Sequence, residues 1–385
     1  MKNGVKCNIS FEELENYRDK EGYINLDELN IEFTEESREK IGNENRIKNW
    51  VDFSGVEALI KGECKIDNKR NGGIYSELIV EELAKQAGLE AAYYDLVKVK
   101  GEYGVLSKNI LTHDNDDLIT LQSLIGNTKF NEEYPEITDY IEVEDKLYKS
   151  LKFEELEKDN IREIMKDFRK QSAFFIMICS IDMHPENISL ITYINPETKQ
   201  KKQKLAPIYD TESSLMLDID LNILERIQKN GLGLQRNVNM QDPKIAVIEG
   251  EYSSLWKNTL DTLLEDDEVY DFVMDCYDNL NIHKAIQNVE EKIKAPLPQV
   301  VKKTATYVYE FRKKEIGKII YPELGESSIG EVYSNEISNK SIDEGIRQGE
   351  EDEILRRIMH IYGIEERDNR KITETWKKCK NMLKY

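Results

Sequence analysis

Nowhere does this sequence carry a CxxC pair, and its five cysteines, Cys7, Cys64, Cys179, Cys276 and Cys379, lie far apart. That spacing excludes a disulfide framework and a cysteine zinc site, and it suits a reducing compartment. Histidine is as scarce, and His113, His283 and His360 show no metal-ligand spacing. No stretch approaches the ~20 consecutive apolar residues of a membrane helix. The N-terminal run MKNGVKCNISFEELENY has no apolar core of a leader peptide, so a cytoplasmic protein without membrane association is expected. Positive charge is also short. With 54 Lys and Arg against 75 Asp and Glu, the formal net charge is −21, which repels a polyanion unless a local basic stripe overrides it. The basic runs present, KQKKQK over residues 199–204 and RKK over 312–314, are short. Direct nucleic-acid binding is not expected.

What is there suffices for a folded protein. The 385 residues, 39% hydrophobic and 34% charged, are a globular composition with chain enough for two lobes and an accessory segment. Residues 1–45, rich in Glu, Asn and Lys, are expected as an N-terminal extension of a helix and a turn. WVDFSGVEALIKGE predicts two short strands around a turn. In IYSELIVEELAKQAGL, Leu78, Ile79, Leu83, Ala84 and Ala87 share one helical face, and Gly88 is placed to end the helix. AAYYDLVKVK and YGVLSKNIL flank GEYG as a hairpin. Strand, strand, helix, strand, strand makes a small α+β lobe over residues 46–112.

A large, mainly helical lobe is expected over 113–322. IREIMKDFRKQSAFFIMI places Ile161, Ile164, Met165, Phe168 and Phe175 on one helical stripe. ISLITYI and QKLAPIY read as strands around NPETKQ, and further helices are expected at 218–229, 254–264, 268–294 and 298–316. A Gly/Ser-rich stretch and a charged helix with Ile354, Leu355, Ile358, Met359 and Ile361 on one stripe make 323–385 a linker and tail.

The long helix runs directly into SIDMHPENISL, residues 180–190, where Asp182, His184 and Asn187 follow an apolar run. Burying such a cluster is costly unless every group finds a partner. A loop holds Asp182 and ends in Asn187, and a hairpin then returns the chain to Asp210. Asn187 and Asp210 thus offer oxygens at one end of a hairpin, the hard donors that magnesium with a nucleotide phosphate asks for. Beside them, Asp182 is free to accept a proton from an attacking hydroxyl. The five-residue step from Asp to Asn is that of the protein-kinase catalytic loop.

Asp-x-His-x-x-Asn, a strand pair and then AP-I-YD together resemble the HipA-like kinase family, a bacterial branch of the protein-kinase-like fold, over roughly residues 47–320. The resemblance implies an α+β, two-lobed protein-kinase-like fold: a small β-rich lobe with one helix, a large mainly helical lobe, and here a helical tail. It implies that Asp182 is the catalytic base, that Asn187 and Asp210 are magnesium ligands, and that His184 is a structural or hydrogen-bonding loop residue. Lys61 in EALIKGE is suited to contact the α- and β-phosphates, with Lys65 as the nearby alternative. Glu77 is suited to hold Lys61 in place, with Glu81 on the same helical face as the alternative. No GxGxxG precedes Lys61, so Gly55 in DFSGVE stands for the phosphate loop; Ser54 beside it reads as a turn serine. Ser107, Lys108 and Asn109 end the last small-lobe strand, where a kinase hinge touches adenine through backbone groups.

ATP and Mg2+ are therefore the expected cofactors. Transfer of the γ-phosphoryl group to Ser or Thr of a protein, itself included, is the expected reaction. A kinase-fold enzyme acting on a small molecule or transferring AMP, and a pseudokinase scaffold, are the alternatives. Two departures stand out: Ile181 replaces the arginine of ordinary kinases, and Thr211-Glu212 follows Asp210 instead of Phe-Gly. The N-terminal segment is short for the extra domain of toxin-type HipA proteins, so a stand-alone form is expected, and no antitoxin-type partner is readable.

Overall fold

The computed structural model describes residues 4–34, 46–63, 71–111, 113, 116–126, 137–154, 156–230, 238, 241–252 and 254–321. These belong to one unit; a second, made of 130–136 and 326–385, lies outside the described residues. So do Cys64, Lys65, His360, Cys379 and the linker and tail expected over 323–385.

Six strands form the sheet of the small lobe: β1 (Val5–Cys7), β2 (Ile24–Asn25), β3 (Lys48–Phe53), β4 (Val56–Gly62), β5 (Tyr94–Val99) and β6 (Glu102–Lys108). Their order is β1-β3-β4-β6-β5-β2. β3 and β4 make a hairpin whose turn residues Ser54 and Gly55 have φ of +50° and +99°, as a two-residue turn matched to strand twist requires. The second hairpin turns at Lys100 and Gly101, φ +50° and +72°. Glu102, Tyr103 and Gly104 of the expected GEYG turn therefore belong to β6. Gly104 has its own reason to be glycine: a Cβ there would stand 2.4 Å from the carbonyl oxygen of Lys61 on β4.

Side chains alternate along a strand, and both faces of this sheet are covered. Val51, Phe53, Ala58, Ile60, Val97 and Leu106 pack on one side with Phe11, Leu14 and Leu26 of the N-terminal segment. Tyr94, Leu96 and Val105 pack on the other side, in the core that includes Leu78 and Ile79 of α1 (Gly73–Gln86). The N-terminal segment differs from the helix and turn expected of it. It forms two 3-10 helices, Glu12–Tyr17 and Leu26–Leu29, and both edges of the sheet, β1 parallel to β3 and β2 parallel to β5. Strands of three and two residues carry too few alternations to be read from pattern.

In the large lobe, β7 (Asp117–Thr120), α2 (Leu121–Ile125), β8 (Thr138–Asp139) and α3 (Tyr140–Phe153) precede the long α4 (Lys158–Met177). The α4 stripe is buried as expected, and every residue from Gln171 to Ser180 is buried. β9 (Ser189–Ile194) and β10 (Lys201–Leu205) follow, in a three-stranded antiparallel sheet ordered β10-β9-β7. β10 stops at Leu205, so Asp210 lies beyond a loop instead of at the end of a strand. Then come α5 (Leu221–Asn230), β11 (Ile245–Ala246) paired with β8, α6 (Leu255–Leu263), α7 (Asp267–Asn279), α8 (Ile282–Ile293) and α9 (Gln299–Ile320).

Residues 268–294, expected as one helix, are two. Leu280 is extended, with ψ 131°, and the Asn281 side chain accepts from Lys284 N–H at 3.0 Å to cap α8. α1 lies on α8: Glu81 accepts from Lys292 at 2.9 Å, Glu82 from Asn288 at 3.0 Å, and Gln86 exchanges hydrogen bonds with the Asn281 backbone. Among the described residues, no helix is long and apolar enough to cross a membrane, and Cys7, Cys179 and Cys276 are free thiols.

Candidate active site

Lys61 lies near the end of β4, paired with Val105 of β6 and so on the face covered by α1. Its 5% exposure is tolerable only because its charge is met. Nζ donates to Glu77 Oε1 at 2.7 Å, touches Asp210 Oδ1, and has Glu212 Oε2 at 3.4 Å. Glu77, not Glu81, is the α1 carboxylate on Lys61. Local bonds fix each partner. Asn71 Oδ1 accepts from Gly73 N–H at the start of α1, and Ser76 Oγ donates to the carbonyls of Thr211 and Ser214 at 2.7 and 3.1 Å. Asp210 sits at φ +55°, its N–H donating to the Tyr94 hydroxyl at 2.9 Å.

Oxygens of Glu77, Asp210 and Glu212 lie within 4.8 Å of one another. Three cations offset this: Lys61; Arg46, whose two N–H groups grip Glu212 at 2.9 and 2.7 Å; and Lys48, opposite Lys61 on β3. Burial pushes the Glu77 carboxyl up, the Lys61 ammonium pulls it down, and it rests at about 7. Its Oε2 is buried without a hydrogen-bond partner among the described residues. Against burial, Lys61, helped by Lys48 and Arg46, holds Asp210 down at about 2. Glu212 is likewise lowered, by Lys61 and Arg46 against burial. The cluster is thus an ion-pair network centred on Lys61.

The expected catalytic loop follows α4. Leu215 N–H donates to Ile178 O at 3.0 Å, Ile181 N–H to Ser213 O at 3.4 Å, and Ala206 N–H to Ser189 O at 2.8 Å. The Tyr209 hydroxyl meets Ser189 Oγ at 2.7 Å and Glu186 O at 3.4 Å. The segment carrying Asp210 therefore runs along the loop carrying Asp182 and Asn187. Asn187 Nδ2 donates to Asp182 O at 3.1 Å and Oδ2 at 3.3 Å, which leaves its amide oxygen for another partner. Asp182 Oδ1 accepts from Lys244 Nζ at 2.6 Å. His184 Nδ1 accepts from Glu186 N–H at 3.2 Å, so a neutral ring carries its proton on Nε2, 3.7 Å from Asp182 Oδ1. Burial lowers the His184 pKa, against the pull of Asp182 and with the push of Lys244. An amide oxygen at 187 and a carboxylate held ionised at 210 fit a small hard cation, the donor set that magnesium takes beside phosphate.

The other four expected site residues lie along the two hairpins. Ser107, opposite Leu59, shares the sheet face of Lys61. Asn109 binds Glu57 through its N–H and its side chain, both at 2.9 Å. Lys108 is paired with Ala58 and lies on the opposite face, its ammonium 4.2 and 4.9 Å from the ring centres of Phe11 and Tyr93; a single residue of register reverses the face. Gly55 lies at the far end of the hairpin from Lys61, six residues and about 20 Å along the strand. It makes a tight turn there and does not stand beside Lys61.

Four charged neighbours went unread in the sequence. Lys48 was accessible to counting, because a two-residue turn at Ser54-Gly55 pairs position 48 with position 61. Glu212 and Arg46 carried no signal until the loop and strand were placed. Lys244 is 62 residues from Asp182 and had none.

The family model for the HipA-like C-terminal domain matches residues 43–266. Among solved structures, the chain is similar to the Helicobacter pylori proinflammatory kinase CtkA, with 17% identity and a TM-score of 0.54 over 73% of this chain and 94% of that one. It is also similar to HipA of Shewanella oneidensis MR-1, solved with HipB and operator DNA, at 13% identity and a TM-score of 0.44 over 74% and 67% of the two chains. A search of curated proteins finds no match. The likeness to CtkA is one of fold: the sheet-and-helix lobe and the mainly helical lobe have the two-lobed, protein-kinase-like architecture. The family match spans more than half of the sequence, and the chain belongs to the family of HipA-like C-terminal domains.

Proposed function

We propose that this chain transfers the γ-phosphoryl group of ATP to a hydroxyl, with Ser or Thr of a protein, itself included, as acceptor. Its family and its kinase fold support a phosphotransferase. The observation that carries the reading is the buried Lys61 ammonium, held by Glu77 at 2.7 Å and touching Asp210. A positioned ammonium in a cleft is a phosphate-binding group. On nucleotide binding Lys61 exchanges Asp210 for phosphate oxygens, which releases the Asp210 carboxylate. Magnesium held by Asn187 and Asp210 would offset charge on the phosphates. Asp182 receives the proton of the attacking hydroxyl, and Asn187, bonded to Asp182 at 3.3 Å, fixes the direction of that carboxylate. A cytoplasmic setting and a protein acceptor, without membrane or direct nucleic-acid contact, complete the reading.

The test is incubation with Mg2+ and γ-labelled ATP, followed by mass spectrometry. Asp182→Asn is expected to keep a magnesium-dependent thermal shift with ATP and to lose transfer. Full transfer in that variant contradicts the role of Asp182. A mass increase of AMP instead of phosphate contradicts γ-phosphoryl transfer.

A further inference from the structure

Lys244 reaches Asp182 by construction and not by chance of a long side chain. Its N–H donates to Ile181 O at 3.3 Å, and its carbonyl accepts from Thr138 N–H at 2.7 Å. It directly precedes β11, whose pairing with β8 holds the segment. Nζ then lies 2.6 Å from Asp182 Oδ1, with the two side chains 37% and 30% exposed. Lys61 is closed in, whereas this pair is open to an incoming acceptor. An ammonium has three N–H donors, and among the described residues Asp182 is the side chain that takes one.

The assignment rests on the phosphotransferase reading above. In such a reaction, charge is spread over the equatorial oxygens of the transferring phosphoryl. Lys61, Asn187 and Asp210 serve the nucleotide side. On the acceptor side, residue 181 is isoleucine, and the ammonium beside Asp182 is that of Lys244. We propose that Lys244 is a catalytic residue whose ammonium bridges Asp182 and the transferring phosphoryl group, donating one N–H to the carboxylate and another to an equatorial phosphoryl oxygen. The acceptor oxygen forms the new P–O bond, and the bond to the β–γ bridging oxygen breaks with ADP as leaving group. The hydroxyl proton passes to Asp182, and Lys244 keeps its three protons throughout.

The full chain is assayed by single-turnover transfer from γ-labelled Mg-ATP and by calorimetric binding of a magnesium–non-hydrolysable ATP analogue. Removing one donor aimed at developing charge typically slows chemistry about 100-fold, and Lys244→Met is expected to do so with the analogue bound as in wild type. Lys244→Arg, which keeps charge and donors, is expected to recover transfer to within about tenfold of wild type. If Lys244→Met melts below the assay temperature, Lys244→Gln carries the same comparison. Wild-type transfer by the Met or Gln variant, or an Arg variant as slow as Met, overturns the assignment. So does a Lys244→Met loss of analogue affinity, the mark of a merely structural role. When wild type transfers, Asp182→Asn does not and Lys244→Met does, the Lys244 role alone falls. A wild type that neither binds nor transfers removes the phosphotransferase reading itself.

Discussion

Replacing Lys61 by methionine tests the charge network at its centre. Arg46, Lys48 and Lys61 balance Glu77, Asp210 and Glu212, and the substitution leaves two cations against three carboxyls. Asp210 and Glu212 keep Arg46 and Lys48 nearby and side-chain exposures of 32% and 21%. Glu77 has no exposure, and its Oε2 has no hydrogen-bond partner among the described residues, so the loss falls there. Removing one partner of a buried ion pair costs about 3–5 kcal/mol when the other stays charged. Glu77 can evade part of this by taking a proton.

The pH dependence has a definite sign. Burial already lifts Glu77 to about 7, above its ordinary 4.5. Its contribution to stability is therefore full below 4.5 and is lost as pH rises through 7. In wild type the loss levels off above that point. Without Lys61 the carboxyl rises further, and the loss continues at up to about 1.4 kcal/mol per pH unit. Urea unfolding at pH 6, 7, 8 and 9 is expected to show Lys61→Met destabilised by about 1 kcal/mol at pH 6 and by up to about 2.4 at pH 8. Adding Glu77→Gln is expected to remove the pH-dependent part. A destabilisation that is constant from pH 6 to 9, or that survives Glu77→Gln, refutes the reasoning.

Gly104→Ala places a Cβ against the Lys61 carbonyl oxygen, a backbone atom that can yield only if the strands part. A loss of about 2 kcal/mol is expected, read as a melting point about 5 °C lower. Asp242 is pushed by burial to about 6, although the Trp256 N–H at 2.8 Å favours its charged form. Its contribution to stability is thus present below 4 and lost as pH approaches 6. Asp242→Asn is expected to flatten unfolding free energy across that window and to be the more stable form at pH 7, by on the order of 1–3 kcal/mol. Asn281→Ala removes the side-chain cap of α8 and is expected to cost about 1 kcal/mol, with faster amide exchange in the first turn of α8 as its local signature.

Long elements with strong periodicity were legible from residues alone. α1, α4, the two small-lobe hairpins and β9 each follow a pattern that burial then uses. Pattern failed where an element was too short or a local signal interrupted a continuing stripe. β1 and β2 are a few residues each, and the apolar spacing of 268–294 runs on through the stop at Leu280 and Asn281. At the candidate site, the order Lys61, Glu77, Asp182, Asn187, Asp210 could be read because each sits beside a recognisable element. Lys108 lies along β6 as expected, and its side chain is on the face of Phe11 and Tyr93, opposite to that of Lys61. Glu212, Arg46 and Lys244 depend on long-range packing of loops, which no local pattern encodes.

The Lys61–Glu77 pair is best understood through the anchoring of α1. Gly72 N–H donates to Leu217 O at 2.6 Å at its start. Ser76 bonds the Thr211 and Ser214 carbonyls one turn later, and Gln86 is joined to Asn281 at its end. Every one of these partners belongs to the large lobe, whereas Lys61 is carried by the sheet of the small one. Each buried bond is worth about 1 kcal/mol net and more if left unmade. α1 is bonded to the small lobe as well, through Tyr94 N–H to Glu81 at 3.0 Å and the Tyr23–Tyr75 hydroxyl pair at 2.5 Å, so Glu77 sits on an element tied to both lobes. Through its contacts with Glu77 and Asp210, Lys61 joins the sheet to α1 and to the large-lobe segment that carries Asp210.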